Sequence, residues 1–118
     1  EMVKTAKEVE LSEKVKRVIE WYNRALLESD PVDRFIYLWT MMEAWRAYKY
    51  GEARRKHKKL MGRTFNDLGF KGDFEKIYEL RNNIFHEGMV KEVEKYLSLL
   101  TDIAGKAIEE LKGLLTVN

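Results

Sequence analysis

The stretch Asp30-Pro31-Val32-Asp33-Arg34-Phe35-Ile36-Tyr37-Leu38-Trp39-Thr40-Met41-Met42-Glu43-Ala44-Trp45 decides the fold. Asp-Pro marks the start of a helix. The aspartate side chain can accept from backbone N–H groups of the first turn, and proline suits the first helical position because it has no N–H to leave unpaired. Asp33 adds a negative charge where the helix dipole favours one. From Phe35 to Trp45 the residues are apolar almost all round, with Glu43 set inside the run. An amphipathic stripe serves a helix on the outside of a bundle, whereas a helix apolar on every side must be touched on several. The stretch therefore predicts a central helix that runs to about Tyr50 and stops at Gly51.

The flanking segments supply what would surround it. Residues 12–29 carry Val15, Val18, Ile19, Tyr22, Ala25 and Leu26 at helical spacing, with Ser12 as the expected N-cap and Leu11 stapling onto the first turns. A third helix is expected from Gly72-Asp73 to about residues 86–87, with Phe74, Ile77, Tyr78, Arg81, Ile84 and Phe85 on one stripe and Gly88 just past its end. A fourth spans about 90–115, where Val93, Leu97, Leu100, Ile103 or Ala104, Ala107, Leu111 and Leu114 sustain the period. Residues 52–72 read as an irregular connection, opened by the basic run Arg54-Arg55-Lys56-His57-Lys58-Lys59 and broken by Gly62, Gly69 and Gly72. Within it Thr64 and Asp67 have the spacing of a capping box for one short turn. Residues 1–11 are expected to be flexible or partly ordered. The fold class that follows is all-α, an up-and-down antiparallel bundle of four to five helices forming one domain over residues 1–118.

Composition narrows the chemistry. The chain has 118 residues, 45% of them hydrophobic and 36% charged, with one Pro and no Cys. Absence of cysteine excludes a disulfide scaffold, a thiolate zinc site and a cysteine nucleophile. The net charge of +2 makes no overall case for nucleic acid, so any such case rests on local clusters. Gln is absent and Glu, Lys and Arg dominate, a balance expected of a thermophile. The charged residues 1–10 lack an apolar signal core, and no run reaches a membrane span, so a cytoplasmic location is expected. No nucleotide-binding loop, metalloprotease motif or calcium loop occurs.

One string is chemically unusual: Leu80-Arg81-Asn82-Asn83-Ile84-Phe85-His86-Glu87-Gly88. Arg81 sits on the apolar stripe of its own helix, where a guanidinium needs a partner or a wet cleft. Glu43, stranded in the central helix, is a candidate partner. Asn82 and His86 lie four apart and share a face on an ideal helix. His86 falls in the expected last turn, where the dipole favours a protonated ring. Arg81 and His86 are about 140° apart around such a helix. One chain alone therefore aims them poorly at one atom, whereas a loosened last turn or a second copy of the helix across a two-fold axis would serve.

Arg81-Asn82-x-x-x-His86 resembles the R-N-x-x-x-H form of the R-x4–6-H motif of HEPN domains. The helix order, the aromatic central helix with Leu38-Trp39 followed by Glu43, and the His86-Glu87-Gly88 ending strengthen the likeness over roughly residues 12–115. It is most similar to the ApeA-like branch. The resemblance implies a homodimeric, metal-independent endoribonuclease that needs no cofactor. His86 would be the general acid/base at the ribose 2′-OH and the leaving oxygen. Arg81 would stabilise the phosphorane charge, supported by Asn82, to give a 2′,3′-cyclic phosphate and a 5′-hydroxyl. Relatives of this kind include toxins paired with an antitoxin protein and defence components. Glu43 reads first as a structural ion pair with Arg81 or another base, and second as a residue that tunes the site. Arg54, Arg55, Lys56, Lys58 and Lys59 read as a solvated run, or else as a patch that grips RNA phosphates. Trp21, Trp39 and Trp45 read as core. The other functional reading is a catalytically inactive helical dimer that binds a partner protein or a nucleotide.

Overall fold

The computed structural model describes residues 6–51, 57–84, 86 and 88–116, with side chains described from residue 12 to residue 115. Among the described residues the chain is all-helical: α1 Ala6–Leu27, α2 Pro31–Tyr50, α3 His57–Asp67, α4 Phe74–Asn82 and α5 Val90–Thr116. None of these helices is long and apolar enough to cross a membrane.

α2 is the central helix that its sequence requires. Asp30 caps it in an extended conformation, its carboxylate accepting from the Asp33 N–H at 3.0 Å. At the other end the Gly51 N–H donates to the Ala47 carbonyl at 2.8 Å, with Gly51 at φ 78°, a region only glycine enters cheaply. Phe35, Leu38, Met41 and Met42 are fully buried, and Trp39 and Trp45 nearly so. The main helix–helix contacts are those of α2 with α1 and with α5, and α3 packs against a further side of it. Loss of water contact by these large side chains is the main source of stability, at about 25 cal/mol per Å² of apolar surface.

α1 is longer than its expected span. It begins at Ala6, so Ser12 lies inside the helix as an exposed residue and is not its cap. Lys7 to Leu11 contain no breaker, and a helix once nucleated propagates through such residues. The side chain of Leu11 lies outside the described set. The buried seam of α1 centres on Val18 and Ala25, both fully buried, while Ile19 and Leu26 stand exposed at its edge. α5 buries Val93, Leu100, Ile103, Ala104, Ala107 and Leu111 and leaves Leu114 exposed.

The connection expected to be irregular holds a helix. α3 buries Met61, Thr64 and Phe65, with Leu68 buried just beyond its end. Phe65 meets Trp39, Phe70 and Phe74 at ring-centroid distances of 6.0, 5.5 and 5.1 Å, and Trp39 also contacts Phe74 and Tyr78. This aromatic group fastens α2, α3 and α4 together. Thr64 is not a cap; its hydroxyl donates within α3 to the Leu60 carbonyl at 2.7 Å. Asp67 instead accepts from the Tyr50 hydroxyl and ties the end of α3 to the end of α2.

Candidate functional site

α4 carries the motif, and both of its ends are set by short polar side chains. Asp73 caps the start, accepting from the Glu75 N–H at 3.0 Å. Ile77 and Leu80 bury the inner face. The helix stops at Asn82, one turn earlier than the apolar spacing suggests. The Asn83 N–H is shared between the Glu79 and Leu80 carbonyls, at 3.1 and 3.2 Å, and its side-chain amide donates to the same Glu79 carbonyl at 2.9 Å. An asparagine that offers the backbone an alternative partner ends helices readily. Ile84, 4% exposed, then plugs into the core and fixes the turn that follows. The His86 N–H donates to the Asn83 carbonyl at 2.9 Å, and Gly88 takes φ 86° on the way to α5.

This termination corrects two expectations. His86 lies beyond the helix, so neither an i,i+4 face shared with Asn82 nor a place in the last turn applies to it. The turn does free His86 from the angular constraint of a straight helix. Arg81 is half-buried, Asn82 and His86 are exposed, and among the described residues none of the three side chains makes a hydrogen bond or ion pair. Phe85 and Glu87 lie outside the described residues. A shallow cavity of about 220 Å³ beside the helix end is lined by Lys76, Glu79, Leu80, Asn83, Met89, Glu92 and Tyr96. Neither Arg81 nor His86 lines it.

Glu43 does meet a basic side chain, that of His57. Its Oε2 lies 3.2 Å from His57 Nε2, and both side chains are about one-third exposed. Arg81 is not its partner. The basic run is in part committed to carboxylates. Lys58 Nζ lies 2.5 Å from Glu75 Oε2 and 5.1 Å from the centre of the Tyr78 ring. The hydrogen bond that the Lys58 ammonium donates to the Glu75 carboxylate raises the Lys58 pKa above its ordinary 10.5. Lys59 is exposed. Arg54, Arg55 and Lys56 fall outside the described residues, so the structure places only the end of this run. Trp39 and Trp45 are core side chains, while Trp21 is half-buried with the Arg24 guanidinium 4.9 Å from its ring centre.

One residue escaped the sequence reading. Arg46 is 5% exposed on α2, and its Nε is buried with no hydrogen-bond partner. The signal was present: a second charged residue three positions after Glu43, between Trp45 and Ala47 in the same apolar helix. Among the described residues no group of three or more His, Asp or Glu side chains is arranged to hold a metal ion. No protein-family model, curated protein or solved structure matches the chain.

Proposed function

We propose that this chain is a metal-independent endoribonuclease of the HEPN type, working as a homodimer, with Arg81 and His86 as catalytic residues and Asn82 in support. The observation that carries the reading is the state of the motif end of α4. Arg81 and His86 flank a helix terminus anchored by buried Leu80 and Ile84, and neither side chain is consumed by an ion pair among the described residues. A guanidinium kept half-buried and unneutralised is suited to charge that develops on a transferring phosphoryl group. An exposed imidazole is a side chain suited to moving protons in such a reaction.

The chemistry would run by general base removal of the 2′-OH proton and attack of that oxygen on the adjacent phosphorus. The 5′-oxygen then leaves with a proton from a general acid, yielding a 2′,3′-cyclic phosphate and a 5′-hydroxyl. The base and the acid are two roles, and one chain offers one motif histidine. A second copy of α4 across a two-fold axis supplies the other and doubles the positive charge at the phosphorus. Exposure of Asn82 and His86 on the single chain agrees with that arrangement. A toxin or defence role, with an antitoxin protein as partner, is the biological setting we propose with it.

The test is RNA cleavage in the presence of EDTA by purified protein, with His86→Ala and Arg81→Ala beside it. Cleavage by the parent chain that vanishes in both variants is expected. Activity that survives His86→Ala would sink the assignment. A folded dimer with no cleavage would favour the other reading, an inactive helical module that binds a partner protein or nucleotide.

A further inference from the structure

Arg46 stands at the base of a cleft between α1 and α2. The cleft has a volume of about 280 Å³ and is lined by Lys14, Arg17 and Trp21 from α1 and by Glu43 and Arg46 from α2. Arg46 is 95% removed from water, yet among the described residues it has no carboxylate partner. Its Nη1 donates to the Gly51 carbonyl at 3.2 Å, and its Nε makes no hydrogen bond at all. A buried guanidinium left in this state is costly, because a charged donor that has lost its water has gained only one neutral acceptor. The nearest carboxylate along α2, Glu43, is engaged by His57. In the lining, the guanidinium groups of Arg17 and Arg46 thus face one carboxylate, Glu43, that His57 already contacts.

We infer that the α1–α2 cleft is a binding site for a small phosphate-bearing molecule, gripped by the guanidinium groups of Arg46 and Arg17. The forked donors of arginine match the tetrahedral oxygens of phosphate, and an anion in the cleft would give the Arg46 guanidinium the charged partner that the protein itself does not. Trp21 gives the cleft an aromatic wall that could bear on whatever the phosphate is attached to. Arg81 and His86 do not line this cleft, so the site does not depend on the ribonuclease reading.

Calorimetric titration of the full chain with inorganic phosphate, AMP and adenosine tests the inference. Phosphate and AMP should bind and adenosine should not. Tighter binding of AMP than of phosphate identifies a nucleotide as the source of the phosphate, and equal binding identifies the free ion. Arg17→Ala, a change at an exposed position that leaves the core intact, should weaken phosphate binding at least tenfold. Arg46→Met should abolish it, with a thermal melt to show that the variant is folded. Failure of both phosphate and AMP to saturate the parent chain overturns the inference, as does unchanged affinity in Arg17→Ala and a folded Arg46→Met.

Discussion

The Glu43 carboxylate meets the His57 imidazole at 3.2 Å, joining the middle of α2 to the first turn of α3. The pair accounts for a charge inside an apolar helix without Arg81. A double-mutant cycle of Glu43→Gln with His57→Ala, measured by urea denaturation at a pH where imidazole is protonated, should give a coupling of about 0.2–1 kcal/mol, as partly exposed pairs do. The same cycle with Arg81→Ala should give none. Appreciable coupling between Glu43 and Arg81 would reverse the assignment.

The helix at His57–Asp67 makes a second prediction, on stability. Phe65 is fully buried among Trp39, Phe70 and Phe74. Phe65→Ala should cost about 3–5 kcal/mol, as expected where a buried aromatic leaves a cavity. Exposed Lys59→Ala on the same helix should stay within about 0.5 kcal/mol. Equal, small effects of both changes would mean that α3 is not part of the core.

The contrast between α2 and α3 shows what a sequence discloses. Asp30-Pro31, the apolar run and Gly51 all point to one helix, and its ends and burial are as read. In α3, Met61, Thr64, Phe65 and Leu68 make a short buried seam, but three glycines and a basic run mask it. The aromatic contacts that hold it are with residues distant in sequence, and no local pattern reveals them. The end of α4 was missed for a similar reason. Apolar spacing continues through Ile84, yet Asn83 terminates the helix by its own hydrogen bond, and Ile84 reaches the core from the turn. The string from Arg81 to Gly88 is plain in the sequence; the place of His86 beyond the end of α4 is not.

A third prediction concerns alkaline pH. Lys58 has its pKa raised by Glu75, so the folded state holds that proton more tightly than the unfolded chain. The resulting stabilisation is fully present below the ordinary lysine value of 10.5 and disappears as pH rises through the raised value. Thermal melts of the parent chain and Glu75→Gln should therefore differ at neutral pH and converge at the alkaline end. A gap that widens there would contradict the pairing. The effect is small, because the ammonium is fully exposed and screened.

The fourth prediction separates stability from activity at the motif. Arg81 and His86 make no side-chain hydrogen bond or ion pair among the described residues, and His86 is exposed. Their replacement by alanine should therefore leave unfolding free energy within about 0.5 kcal/mol for His86, and little more for half-buried Arg81. Cleavage of RNA in EDTA should fall far more, by about 10²–10⁴-fold for His86→Ala as for loss of a general acid/base, and by about 10²–10³-fold for Arg81→Ala as for loss of one charge-stabilising donor. If the site is built from two chains that each supply one His86, a large excess of His86→Ala protein should draw the parent chain into dimers with a single histidine and lower its cleavage of RNA. Cleavage by the parent chain that is unchanged by that excess would place the whole site within one chain.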